Sequence, residues 1–319
     1  VITIVDPGVR TTVQDLGRAG TMAMAMPPAG ALDQFANRIA NALVGNGPKA
    51  ATLETALTGL TLTTDADCTV AVTGADVDVL IDGVAHPAWT ALWLPAGSKL
   101  RIGEIRGGAH SYIAFAGGLD VPVVMGSRAT DLLTGVGGLG GRALRAKDVL
   151  CVGQRVRAVE EGRHLPVRLR PALSTSEEVR IVLGVGAHRL APESLRALTE
   201  REFQVAAEAD RMTCRFVGEP LRIVEPEDPE DTRRADEVPV AYPFGALCVA
   251  DGSLSCRLRD AVPDRGALAV GTVITPDLDL LAQVKELDSV RFTAVDIDSA
   301  LKLRTEHNDF VRSAIRAIA

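Results

Sequence analysis

CTVAVTGADVDVLIDG, residues 68–83, decides the class of fold. Its apolar residues recur at short intervals and are interrupted at Gly74 and at Asp82-Gly83. No stripe at helical spacing appears, so CTVAVTG (68–74) and VDVLIDG (77–83) read as strands. The same texture surrounds them, in LTLTT (60–64), TALWLPAG (90–97), KLRIGEI (99–105) and SYIAFAGG (111–118). Short runs with turn residues about every 8–12 positions predict a barrel or sandwich. Further on, VRIVLGVG (179–186) starts a new strand, and strand-like pieces return in GALCVADG (245–252), LAVGTVI (268–274) and SVRFTAV (289–295). The charged, proline-containing RAVEEGRHLPVRLRPALSTSEE (157–178) reads as a connection. The expected organisation is therefore two mostly β domains, residues 1–172 and 173–319, the second closing with a helix.

Helical periodicity is confined to a few segments. ALDQFANRIANALVGN (31–46) puts Leu32, Phe35, Ile39, Ala42 and Leu43 on one stripe, with Gly45-Asn46 as a stop signal. PESLRALTERE (192–202) and SALKLRTEHNDFVRSAIRAI (299–318) are the other helix candidates. VEPEDPEDTRRADE (224–237) is a charge block and reads as a solvated loop.

Composition narrows the function classes. Of 319 residues, 47% are hydrophobic and 24% charged, as in globular proteins. A net charge of −7 argues against a broad nucleic-acid or membrane-surface partner, which needs a basic face. The five cysteines form no CxxC pair, and the five histidines no HxxxH or HExxH spacing, so neither a disulfide framework nor a metal centre is expected. No apolar stretch reaches about 18 residues and no signal-peptide pattern opens the chain, which predicts a cytoplasmic protein. Val1 in place of a methionine reads as trimming.

Several motifs fail their own tests. GVGGLG (135–140) has dinucleotide-type glycine spacing, but GRALRAKDVL (141–150) is too short for the helix that must follow. Those glycines are expected to adopt positive φ and approach something closely. No GxxxxGK[ST] or GxSxG is present. MAMAMPPAG (22–30) has alanine at position 25, between two methionines, so the chain has no lysine there to carry biotin.

Two polar clusters stand out. One, within the long segment from Asp6 to Gly30 that reads as an ordered loop, comprises Thr11, Thr12, Gln14, Asp15 and Arg18. The other comprises Ser127, Arg128, Thr130 and Asp131. An arginine beside hydroxyls and amides suits a carboxylate or carbamate. The competing reading is that Asp15 pairs with Arg18, and Arg128 with Asp131, to brace their own loops.

Taken in order, DPGVRTTVQDLGRAG (6–20), GALDQFANRIANALVGN (30–46), LE (53–54), TGADVDVLIDG (73–83), YIAFAGGLDVPVVMGSRATDL (112–132) and GGLGGRALRAKDVL (137–150) resemble the biotin-dependent carboxyltransferase family. That family includes the C component of 5-oxoprolinase, the Kip-type antagonist KipA and allophanate hydrolase subunit 2. The second half agrees through VRIVLG (179–184), DRM (210–212), GTVITPDLDLLAQ (271–283) and VRF (290–292). The resemblance implies two cyclophilin-like β-barrel domains and a non-autonomous part of an ATP-dependent enzyme. Its partners would be a protein like KipI or the B component of 5-oxoprolinase, and one like the A component. ATP would be consumed by the complex, and the substrate would offer a planar amide or ureido group, as 5-oxoproline and urea do.

Candidate ligand-binding residues are then Thr11, Thr12, Gln14, Arg18, Ser127, Arg128 and Thr130, and candidate catalytic residues Gln14, Asp15 and Asp260. DAVPDRGALA (260–269) departs from the family's DRQTTGGYP-like segment. Cys248 stands where the family has glutamine, and Thr213-Cys214 where it has Gly-Tyr. These departures leave open a second reading, a KipA-like regulatory protein that sequesters a KipI-like inhibitor.

Overall fold

The computed structural model describes residues 1–155, 157–207, 209–224, 242–262 and 266–318. Most of the charge block at 224–237, and residues 263–265 of the divergent segment, lie outside the described residues. The chain is mostly β and folds as two compact units. The first comprises Val1–Ala19, Pro28–Leu173 and Asp309–Ala319, the second Gly20–Pro27 and Ser174–Asn308.

In the first unit the strands form two sheets. One runs β11 (Val149–Leu150), β1 (Ile2–Asp6), β4 (Thr61–Thr64), β9 (Lys99–Ile102), β6 (Val79–Ile81), β7 (Val84–His86). The other runs β2 (Arg10–Gln14), β3 (Thr52–Ala56), β10 (Gly107–Phe115), β5 (Cys68–Asp76), β8 (Ala91–Leu94). Alternation explains the core. Val13, Leu53, Val70, Val72, Ile113 and Phe115 of the second sheet are buried with Ile2, Ile4, Leu62, Leu100 and Ile102 of the first. The run expected as one strand over 77–83 is a hairpin: Asp82 (φ 50) and Gly83 (φ 83) turn the chain so that Ile81 pairs with Val84. A two-residue Asp-Gly turn with both φ positive matches the twist of the strands it joins.

The face of the second sheet that points away from this core is covered by α1 (Gln34–Leu43). Asp33 caps it, its Oδ1 accepting the Ala36 N–H at 2.8 Å, and Gly45 (φ 77) ends it. Phe35, Ile39 and Leu43 are buried with Ala71, Tyr112 and Ala114 of the sheet. Phe310 of the C-terminal helix (Ile297–Arg316) stacks on Phe35 at 5.6 Å between centroids.

The second unit is a closed barrel, ordered β12 (Ser176–Leu183), β17 (Leu268–Val273), β15 (Ala246–Ala250), β16 (Ser253–Arg257), β14 (Thr213–Val217), β13 (Glu202–Val205), β18 (Ser289–Ala294). Closure comes from β12, which pairs antiparallel with β17 and parallel with β18, so the barrel leaves no free edge. Phe292 meets Phe216 edge-on at 5.3 Å and Phe203 at 6.0 Å inside it.

Cys214 and Cys256 lie directly across β14 and β16 from one another, both fully buried. Burial pushes the Cys214 thiol up to about 12 and raises that of Cys256 as well. Both thiols stay protonated at neutral pH. A raised thiol stabilises the fold fully below its unfolded value of about 8.5, and that contribution fades as pH rises toward the folded value. Native protein treated with iodoacetamide at pH 8 is expected to label exposed Cys151 and spare Cys214, Cys248 and Cys256 until it is unfolded. Mass mapping of the adducts reads this directly, and rapid native labelling of Cys214 would contradict the buried assignment.

Two expectations about the elements need correction. The segment from Asp6 to Gly30 is not one long loop: Arg10–Gln14 is a strand and Thr21–Met24 a short 3-10 turn. The stretch from 157 does not merely connect, because Gly162, Arg163 and Leu165 bond the backbone of Trp89 and Ala91 beside β8. Strands β2 and β3 are buried on both faces, so they lack the polar-apolar alternation that marks a strand in sequence.

Candidate functional site

Register places a polar row across the α1-covered face of the five-stranded sheet. Thr12 of β2 pairs with Glu54 of β3, Glu54 with Tyr112 of β10, and Tyr112 with Thr73 of β5. All four are buried, Glu54 at 3% exposure. A carboxylate so enclosed is costly unless hydrogen-bonded, and Glu54 is: its Oε2 accepts the Tyr112 hydroxyl at 2.9 Å and the Leu32 N–H at 3.0 Å. Burial raises the Tyr112 phenol well above its ordinary value, and the charges of Glu54 and Asp33 raise it further. Tyr112 therefore remains a neutral donor beside the carboxylate. His110 lies two residues along the same strand, next to a register shift between β10 and β5.

The chain entering α1 lies over this row and is held at four consecutive amides. Gly30 N–H donates to Gln14 Oε1 at 3.0 Å, Ala31 N–H to the Asp15 carbonyl at 2.8 Å, Leu32 N–H to Glu54, and Asp33 N–H to the Tyr112 oxygen at 2.8 Å. Gly30 (φ 88) is required here, since a Cβ would sit 2.6 Å from the Gly17 nitrogen. Every amide of the segment thus has a partner, which pins the site's cover to the sheet.

The two clusters singled out in the sequence come together. Asp15 Oδ1 accepts from Ser127 Oγ at 2.6 Å and Gly17 N at 2.8 Å, and Oδ2 from Arg128 N at 2.6 Å. Gln14 Nε2 donates to Thr12 Oγ1 at 3.0 Å and to the Thr130 carbonyl at 3.1 Å, while Thr130 Oγ1 donates to the Val13 carbonyl at 3.0 Å. Arg18 is 1% exposed and donates to the Ala129 carbonyl. Arg128 is half-exposed and donates to the Val121 carbonyl. Among the described residues neither Asp15–Arg18 nor Arg128–Asp131 forms an ion pair: bracing runs between the loops instead of within each. Thr11 stands apart, its side chain on the opposite face and bonded to the Pro7 carbonyl at 2.6 Å.

Three glycines of the run pack closely against the protein itself. Gly137 (φ 77) lies against the Ala129 carbonyl and the Arg18 guanidinium, Gly138 (φ 51) against the Thr130 hydroxyl, and Gly141 (φ 67) against the Gly135 backbone. Gly135 and Gly140 instead have nothing within 4 Å of an added Cβ. Asp260 belongs to the second unit, where both its oxygens accept from Arg211, at 2.8 and 2.9 Å, with both side chains buried. Cys248 and Cys214 are interior barrel residues.

Glu54, Tyr112, Asp33 and His110 were not picked out by sequence reasoning, although the first three lie inside the LE, YIAFAGG and GALDQFAN motifs. The signal available was a glutamate in an otherwise strand-forming TLETA. Chemically, the row offers a carboxylate shielded from water and held by a neutral phenol.

The carboxyltransferase domain model, subdomains A and B, matches residues 24–294. The C component of 5-oxoprolinase from Escherichia coli K12 is 32% identical over 315 residues, covering 97% of this chain and 96% of that protein. Urea amidolyase of Saccharomyces cerevisiae is 28% identical over 321 residues, covering 98% of this chain but only 18% of its own length. The crystal structure of the K. lactis urea amidolyase superposes with a TM-score of 0.91 at 25% identity, over 98% of this chain and 20% of that one.

Proposed function

The chain belongs to the family of carboxyltransferase domains with subdomains A and B, and from that premise we propose that it serves as the C-type component of a 5-oxoprolinase. That enzyme opens 5-oxoproline to glutamate at the expense of ATP, together with a KipI-like B component and a protein like the A component. The observation that carries the reading is the match to the E. coli 5-oxoprolinase C component, whose length is covered almost completely. ATP acts in the complex as a co-substrate. No step through ATP is assigned to residues of this chain.

Coexpression with the neighbouring components, followed by an assay of glutamate released from 5-oxoproline and ATP, tests the proposal. Turnover is expected only when this chain is present, in a complex burying at least about 1,000 Å². A folded, associated complex with no turnover would overturn it and favour the KipA-like binding role.

A further inference from the structure

We infer that the first unit carries a binding site for a free α-amino acid, built where β1, β4 and β9 meet on the outer face of the six-stranded sheet. Asp6 and Glu104 receive the ammonium group and Arg101 the carboxylate.

Register assembles the site. Thr61 of β4 pairs with Asp6 of β1 on one side and with Arg101 of β9 on the other. Cross-strand partners share a face, so the three side chains form a row. Ile4, Leu62, Leu100 and Ile102 of the same strands point into the core, which leaves Thr61 and Arg101 outside. By alternation alone Asp6 would follow Ile4 inward. A bulge between Ile4 and Asp6 shifts the register and turns the carboxylate to the outer face, where it is exposed. Asp6 and Arg101 therefore stand two strands apart, about 9–10 Å at the backbone, with the Thr61 hydroxyl between them.

This row opens into a cleft of about 330 Å³, which Glu104, Val9 and Thr58 also line. Its floor is backbone at close quarters. An added Cβ on Gly59 would lie 1.7 Å from the Ile102 carbonyl oxygen, and one on Gly8 (φ 67) 2.2 Å from the Gly59 carbonyl oxygen. Hydrogen bonds fix the rim: Gly8 N–H donates to Asp6 Oδ1 at 3.0 Å, Val9 N–H to Thr58 Oγ1 at 3.1 Å, and Thr11 Oγ1 to the Pro7 carbonyl at 2.6 Å. Thr11, which stands apart from the polar row around Glu54, thus holds the turn between β1 and β2.

The charges lining the cleft are of both signs and do not neutralise one another. Among the described residues Arg101 and Glu104 form no ion pair, and Asp6 bonds only the Gly8 amide, through Oδ1. A molecule with a cation and an anion on one carbon bridges groups that do not meet by themselves. A guanidinium holds a carboxylate through two parallel N–H···O bonds, and an ammonium group has donors for two carboxylates at once. The walls of a cleft strengthen both contacts relative to open surface. Val9, 65% exposed, offers an apolar surface to the side chain of the amino acid.

Titration of the ¹⁵N-labelled full chain with L-valine, N-acetyl-L-valine and L-valine methyl ester tests the site. L-Valine is expected to shift the Gly8, Gly59 and Gly103 amides saturably, and each blocked form to bind at least about tenfold more weakly. Arg101→Gln should weaken L-valine about tenfold and leave the methyl ester unchanged, while Glu104→Gln should weaken L-valine and leave the N-acetyl form unchanged. Both residues are exposed, so melting temperatures should stay nearly constant.

Glycine amides unmoved by L-valine overturn the site. N-acetyl-L-valine binding as tightly as L-valine overturns the amino-acid class in favour of a plain carboxylate. Shifts of the same amides with magnesium chloride but not with L-valine overturn it in favour of a cation. The blocked forms decide on the wild-type chain even where a variant misfolds. None of these readings depends on turnover of 5-oxoproline by the assembled complex.

Discussion

Asp260→Ala is expected to cost about 3–5 kcal/mol of folding stability, because it removes the carboxylate from a buried, doubly bonded ion pair. The Arg211 and Asp260 side chains are 3% and 4% exposed and meet through two parallel N–H···O bonds. Their backbones are joined as well, Asp260 N–H donating to the Arg211 carbonyl at 3.0 Å and Leu258 N–H to the Met212 carbonyl at 2.8 Å. The pair therefore locks the chain after β16 to the chain before β14. An exposed pair provides the contrast. Arg291 and Glu202 lie 3.2 Å apart at 51% and 52% exposure, and Glu202→Ala should cost no more than about 1 kcal/mol. Urea titration of both variants measures the two losses. A cost below about 1 kcal/mol for Asp260→Ala would refute the structural role. Activity lost without stability would return Asp260 to the catalytic candidates.

Gly137→Ala should destabilise by about 2–5 kcal/mol, combining overpacking with a left-handed backbone that a Cβ resists. At φ 77, the new methyl would enter the space of the Ala129 carbonyl and the Arg18 guanidinium. Gly140 is the matched control: it has φ 67 and nothing within 4 Å of an added Cβ, so Gly140→Ala carries only the backbone strain of about 1–2 kcal/mol. The difference between the two melts isolates the close approach to the Ala129 carbonyl and Arg18. Equal shifts would mean that the Ala129 carbonyl and the guanidinium both give way freely and that Gly137 serves only its own turn.

The mostly β class was legible in the chain itself, along with a helix within 31–46 and the positive φ of the glycine run. Each depends on residues near one another in sequence: the spacing of Phe35, Ile39 and Leu43, the Gly45-Asn46 stop, and glycine's tolerance of left-handed backbone. The family was legible for a related reason, since its motifs are continuous segments. Strands β2 and β3 were missed because burial on both faces erases the alternation by which a strand is recognised.

The site was decided only by tertiary structure. Asp15 meets Ser127 across 112 positions and Glu54 meets Tyr112 across 58. The sequence offered Asp15 a nearer arginine at position 18, but β2 turns the aspartate toward the second loop and buries the arginine over Gly137. Local spacing specifies which groups a chain owns. Which of them share a proton or a charge depends on sheet register, and register is fixed by the burial of whole faces, which no single segment encodes.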